Sequence, residues 1–466
     1  MFWLTFSQIV SRLIRAVIII YAARVLGAAE YGIFSYALGL ASFFTIFADI
    51  GIGQILTREV SQKPEKASLY FSTAFWIKAM LLFGTSLLIL FAAPHFSKLE
   101  AATALLPFVA FLVVFDNLRE FSNTFFRAKE KMEYEGITTV LMNISITAFG
   151  FIAISISATA SSFALSYVAS TGAGFLAAAF ILREEFFHVI KNFDRSLIRP
   201  LLRSAWPIAL TSLLGAFMLN VDIIILGWLR TAAEIGYYSA GQKVVQVLYT
   251  IPSIITSALF PALSRAVSAH DPKKVASIME KGAAAIFLLA FPLATGGIVL
   301  GKPIILFLYG AEYLPGAAVF QILISTVLVV FPGMLLGNLI LAYDRQKSVA
   351  VYVALTSIGN VVLDVLLLPL LGIAGVALST LAVQIMYNIF LWNLAKKINF
   401  FRALFHIRKS FIASVLMGIV AYFLNRLGFH VLITIAASGA AYLICLYLLK
   451  EHIVGEIKGM IRTART

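Results

Sequence analysis

"ARVLGAAEYGIFSYA", residues 23–37, lies between two long apolar runs, and "WLRTAAEIGYYSAG", residues 228–241, writes the same turn again in the second half of the chain. Laying Ala28-Ala29-Glu30 on Ala232-Ala233-Glu234 also brings Gly32 onto Gly236 and Ser35 onto Ser239. The correspondence resumes after the next apolar run, where "TREVSQKPEK" (57–66) meets "LSRAVSAHDPKK" (263–274) and places Arg58 and Ser61 on Arg265 and Ser268. Six expected spans separate the copies, so both enter from the same side and the repeat is parallel, with a pseudo-twofold axis along the membrane normal. Chance similarity of two short turns rich in Ala and Gly is the competing explanation; the matching basic loop downstream argues against it.

The runs around these turns set the class. Of 466 residues 61% are hydrophobic and only 12% charged, with mean hydropathy +0.96, where a soluble domain would carry about a quarter charged residues. Apolar runs of about 20 residues, enough to cross a hydrocarbon core as a helix, recur throughout. We expect an all-α integral membrane protein with fourteen spans near 4–26, 32–55, 69–93, 101–125, 137–157, 161–182, 205–229, 236–262, 283–308, 316–341, 349–370, 373–395, 410–427 and 429–449. They group as a six-helix bundle (1–182), a cytoplasmic linker (183–204), a second six-helix bundle (205–395) and an accessory helix pair with a tail (396–466). The accessory pair either packs on one bundle or forms a lipid-facing groove.

Lys and Arg alternate loop by loop. One set of connections, with the tail residues Lys450, Lys458, Arg462 and Arg465, holds 26 of the 36 basic residues; the opposite set holds Lys98, Arg230, Lys302 and Arg426. The basic set is cytoplasmic, which explains the net charge of +14 without nucleic acid and puts both termini in the cytoplasm. Residues 1–26 lack a basic start and a cleavage site and read as a first span, and the missing basic flank points to a clipped or misassigned start. The outer loops "SISATASS" (155–162) and "PLLGIAG" (369–375) are too small for a catalytic domain. The single cysteine, Cys445, excludes an internal disulfide, and all six histidines fall in loops or tails, so no buried metal site is expected. No Gly-Lys-Ser/Thr phosphate loop is present. No cofactor is expected, and energy comes from a proton or sodium gradient, a membrane potential or the substrate's own gradient.

Charges inside spans are expensive and mark function or pairing. By helix rise, Arg12, Arg15, Asp49, Lys78, Asp116 and Arg119 share one layer roughly 9 to 17 Å from the cytoplasmic ends, with Glu120 nearer the edge. Either they pin helices together, as Arg12 with Asp49 and Lys78 with Asp116, or the cationic surplus lines a cavity for an anion. In the second bundle Asp222, Asp364 and Lys243 lie nearer the outer surface. They either pair and face polar groups or take up a coupling cation or proton. Arg24 and Glu30 of the opening motif read as an interface or gate pair. Prolines 207, 252, 292 and 332 fall inside spans of the second bundle, and Pro207 with Gly215 is the candidate hinge.

"ARVLGAAEYGIFSYA", "DIGIGQILTRE" (49–59) and "NVDIIILGWL" (220–229) resemble the Wzx (PST) type oligosaccharide and O-antigen flippases, in the superfamily that includes MATE exporters and lipid II flippases. The resemblance extends over nearly the whole chain. It implies translocation of a polyprenyl-diphosphate-linked oligosaccharide across the cytoplasmic membrane by alternating access for surface polysaccharide biosynthesis. The implied partners are membrane lipids, a glycan polymerase and glycosyltransferases. The family's turn usually holds Pro where this chain has Ala28-Ala29. A polyanionic diphosphate suits Arg12, Arg15, Lys78 and Arg119 as headgroup ligands, with Asp49 and Asp116 as their charge partners. A MATE-type exporter of organic cations would want carboxylates to dominate the cavity. An integral membrane glycan-modifying enzyme would want a large outer loop or a convergent acid/base set.

Overall fold

The computed structural model describes residues 2–402 and 407–449, with side chains described for all of these except 2–13, 46, 96, 206–208, 210–219, 346–347 and 350. The described residues are helical with short links and contain no strand. The tail residues Lys450, Lys458, Arg462 and Arg465 and the side chains of the expected hinge, Pro207 and Gly215, lie outside the described residues. The expected stretches lie mostly on helix, although 32–55 is broken at 49–51. Among the described residues ten segments are long and apolar enough to cross a membrane. Ile14–Thr45 counts once, although its helix α1 (Phe2–Ala48) turns at Gly27, whose φ of 76° only glycine adopts readily. Helix α4 (Leu106–Ala128) is not among the ten, because Asp116, Arg119 and Glu120 interrupt its apolar run.

The chain divides into two compact units, Met1–Ser239 and Ala240–Thr466. In the first, α1 is followed by α2 (Ile52–Gln62), α3 (Ala67–Leu87), α4, α5 (Met132–Ile156), α6 (Ala160–Ile181) and α7 (Ile198–Leu229). Helix α8 (Ala232–Leu248) straddles the boundary, so the division falls some way after the 183–204 linker read from the sequence.

The reason is the repeated turn. Gly32 sits so close to α8 that an added Cβ would stand 2.8 Å from the Ala232 carbonyl carbon and 2.8 Å from the Gly236 nitrogen. A Cβ on Gly236 would in return stand 2.9 Å from the Ala28 carbonyl carbon. The two copies therefore pack backbone to backbone, a contact that small residues permit in membranes. One layer deeper Gly39 faces Ile223 and Gly227 faces the Tyr36 ring, so the seam continues down α7. The copies also share local structure: the helix after each motif is interrupted, at 49–51 and at Tyr249, and Pro64 and Pro272 begin the helical turns after the basic loops.

Helix α2 is amphipathic. Ile52, Ile55, Leu56 and Val60 recur at one helical face and pack with Phe71, Phe125 and Phe126 in one buried cluster; Phe71 and Phe125 have ring centroids 4.6 Å apart. Helix α6 starts at a capping box, Thr159 with Ser162. Its Ala160 N–H also donates to Glu30 Oε2 at 2.7 Å, which ties the first copy of the turn to α6.

The second unit holds α9 (Thr250–Ser268), α10 (Pro272–Val299), α11 (Gly301–Tyr309), α12 (Ala317–Ser325), α13 (Val327–Ala342), α14 (Gln346–Leu371) and α15 (Ile373–Ile398). The loop between α14 and α15 is reduced to Gly372 with φ 60°. The accessory pair α16 (Arg408–Arg426) and α17 (Val431–Leu448) packs on α10: the Tyr442 hydroxyl donates to the Leu288 carbonyl at 2.7 Å, and Ala413, Met417 and Leu446 fill the contact. Of the two arrangements open from sequence, packing on one bundle is formed.

Candidate functional site

The ionisable layer of the first unit is assembled from α1, α3 and α4 and the link at 49–51. That link is non-helical because Gly51 takes φ 83°, and it releases Asp49 from helical register. Lys78, on α3, has a side chain only 3% exposed. Its Nζ donates to Asn117 Oδ1 at 3.0 Å and stands 3.6 Å from Asp49 Oδ1. The amide of Asn117 is itself fixed, because Nδ2 donates to the Val113 carbonyl at 2.9 Å.

Arg119 is 8% exposed and donates from Nη2 to Asp116 Oδ1 at 2.9 Å, with Glu120 at 3.9 Å. Toward the end of α4, Arg127 donates to Glu120 and lies 3.4 Å from Glu135 Oε2 on α5. The pairing expected from depth is thus corrected: Lys78 takes Asp49 rather than Asp116, and Asp116 takes Arg119. The side chain of Arg12 lies outside the described residues.

Two consequences concern charge. Among the described side chains Lys78, Arg119 and Arg127 stand against Asp49, Asp116, Glu120 and Glu135, and the expected cationic surplus turns on Arg15 and on Arg12, which lies outside them. Lys78 and Arg119 are also buried, whereas Asp49, Asp116 and Glu120 are 39%, 45% and 47% exposed. Burial without a partner would cost these cations several kcal/mol, which explains why each has its carboxylate.

Arg15 differs. Its half-buried guanidinium lies 5.8 Å from the Tyr167 ring centroid, a cation–π distance. Its Nε is buried without a hydrogen-bond partner, and it forms no ion pair among the described residues. A membrane-embedded guanidinium with donors to spare is what an incoming anion requires.

Asp222, Asp364 and Lys243 fall on different sides of the unit boundary. Asp222 is buried and accepts from the Tyr238 hydroxyl at 2.5 Å. Asp364, on α14, is fully buried, accepting from Asn360 Nδ2 at 2.8 Å and from the Ser379 hydroxyl of α15. Lys243 donates to Gln246 at 3.3 Å. Of the expected interface pair, Glu30 caps α6 and Arg24 is exposed on α1. Sequence reasoning missed Asn117, Tyr238, Asn360 and Ser379. Asn360 was within reach, since it precedes Asp364 by four residues and shares its helix face.

Among the described residues no cluster of His, Cys, Asp and Glu is arranged to hold a metal ion.

The chain is 21% identical over 371 residues to the "Probable low-salt glycan biosynthesis flippase Agl15" of Haloferax volcanii, covering 78% of this chain and 75% of that one. It is 24% identical over 389 residues to the "Probable flippase AglR" of the same organism, covering 80% and 78%. Its fold is that of the lipid II flippase MurJ in an inward closed conformation, with TM-score 0.77 at 18% identity over 97% of this chain and 100% of that one. A family model described as MatE matches residues 207–366, and one described as "Polysaccharide biosynthesis protein" matches residues 1–267. With more than half its length matched, the chain belongs to this polysaccharide biosynthesis protein family, on the helical fold shared with MurJ and the MATE transporters.

Proposed function

We propose that the protein is a flippase that moves a polyprenyl-diphosphate-linked oligosaccharide from the inner to the outer leaflet of the cytoplasmic membrane by alternating access, without enzymatic chemistry on the substrate. The observation that carries this is Arg15, a guanidinium within a membrane helix that has an aromatic neighbour and no counter-ion among the described residues. The diphosphate is the substrate's constant feature, and a guanidinium binds phosphate oxygens bidentately. The flippase names of the relatives and the MurJ-like fold support the same reading.

Arg15 is the first headgroup ligand, and Arg12, whose side chain lies outside the described residues, is proposed with it from the sequence. Lys78 and Arg119 are held in reserve behind Asp49 and Asp116. The buried carboxylates Asp222 and Asp364, with Lys243 nearby in sequence, are the coupling groups for a proton or sodium gradient. Both termini face the cytoplasm, where glycosyltransferases deliver the substrate; a polymerase takes it on the other side.

The test is translocation of a fluorescent polyprenyl-diphosphate oligosaccharide in proteoliposomes. Arg15→Ala should slow it at least about tenfold, as removal of a charge-assisted bidentate contact does, with Arg15→Lys intermediate. Normal rates in a folded Arg15→Ala protein would reject the assignment. One observation favours a second reading, export of organic cations: Asp49, Asp116 and Glu120 are 39%, 45% and 47% exposed, while Lys78 and Arg119 beside them are buried. Gradient-driven uptake of ethidium by proteoliposomes that do not move the lipid would select it.

A further inference from the structure

Lys78 has two partners of different character. Asn117 is neutral and fixed, its own amide tied to the Val113 carbonyl, and it accepts from the ammonium at 3.0 Å. Asp49 is charged and loosely held. It stands 3.6 Å from Nζ, sits on the non-helical link between α1 and α2, and its Oδ1 is buried without a hydrogen-bond partner among the described residues. Its side chain is open on the other side, while Lys78 is sealed in. Arg119 is the contrast, because its carboxylate is hydrogen-bonded at 2.9 Å on the same helix.

We infer that Asp49 is an exchangeable counter-ion. In the empty site it neutralises Lys78, whose unpaired burial would be costly. When a diphosphate enters the layer, its oxygens replace the carboxylate while Asn117 keeps the ammonium in position. Asp49 then swings toward the open side from its non-helical link. A diphosphate carries more negative charge than one carboxylate and so wins the ammonium at short range. Asp49 remains at hand to reclaim Lys78 and so hastens release. The exchange also keeps a buried charge paired in both states. This inference rests on the flippase reading and adds to it a positioning residue that sets the balance between capture and release.

The experiment titrates the full chain in lipid nanodiscs with inorganic diphosphate and, separately, farnesyl diphosphate, which distinguishes a free anion from a lipid headgroup. Asp49→Asn should bind both about fivefold more tightly, the size of a partly exposed ion pair no longer competing; Asp116→Asn should change affinity less. Infrared difference spectra on adding inorganic diphosphate should show a carboxylate band in the wild type that is absent in Asp49→Asn, a signature that a merely structural aspartate would not give. Asp49→Ser provides a second folded variant. Unchanged or weaker binding in both Asp49 variants, with no carboxylate band in the wild type, overturns the exchange. If neither probe binds the wild type, or Arg15→Ala binds as well as wild type, the flippase reading falls and takes the exchange with it. If Arg15→Ala weakens binding while the Asp49 variants do not tighten it, the exchange alone falls.

Discussion

The seam between the two copies of the turn makes a sharp prediction about Gly32→Ala. The new Cβ would stand 2.8 Å from both the Ala232 carbonyl carbon and the Gly236 nitrogen, against roughly 3.5 Å for an ordinary carbon contact. Both obstacles are backbone, so no rotamer change relieves them, and the helices must part by more than about half an ångström. Overpacking of this kind costs about 3 kcal/mol at its upper end, and the better helix propensity of alanine returns about 1 kcal/mol. The net loss is about 2 kcal/mol, which for a unit of this size lowers the melting temperature by about 4–8 °C. Gly236→Ala meets the same seam from the other side, 2.9 Å from the Ala28 carbonyl carbon. Once one substitution has parted the helices, the second meets less resistance, so the double variant should lose less than the sum of the two. Gly84→Ala is the control: its Cβ would meet nothing within 4 Å, and it should be neutral or stabilising. Scanning fluorimetry in detergent reads all four proteins. A Gly32→Ala protein that melts with the wild type, or a strictly additive double variant, would refute the backbone-to-backbone seam.

Glu30→Ala removes the acceptor for the Ala160 N–H and should cost about 1 kcal/mol in melting experiments while leaving translocation intact; a transport defect at normal stability would restore it to the gate. Asp364→Asn keeps the shape between Asn360 and Ser379 and should give folded protein whose transport no longer responds to a sodium or proton gradient in proteoliposomes; retained coupling would move that role elsewhere. On α2, hydrogen bonding to Arg58, reinforced by Lys63, holds the Glu59 carboxyl below the usual range. Its stabilisation is present above the unfolded carboxylate pKa and is lost as pH falls through the lower folded value. Melting temperatures of Glu59→Gln and wild type should therefore differ by a constant amount above about pH 5 and converge toward about pH 3. A gap that persists in acid would contradict the assigned ion pair.

The helices were legible because each apolar run must satisfy its backbone internally in lipid, and the repeat because its turn needs Gly32 and Gly236. What failed was azimuth. Counting 1.5 Å per residue fixes depth but not the face of a helix. Lys78 and Asp116 share a depth, yet the neighbour of Asp116, Asn117, a hundred degrees round the helix, is the residue that faces the lysine. The break at 49–51 was also unread, although "DIGIG" puts a glycine at the position that takes φ 83°; without it Asp49 would lie on a regular helix. Arg127 and Glu135 join the network from the span ends, where depth alone had left them out.

Two copies of a turn that touch one another cannot drift apart as independent inheritances. Enlargement at position 32 has to be answered at 232 or 236, and enlargement at 236 has to be answered at 28. The two loci behave as one despite lying in separate halves of the chain. Paired libraries at 28, 32, 232 and 236 should therefore yield survivors in matched sets of small residues, with single-site libraries collapsing to glycine at 32 and 236.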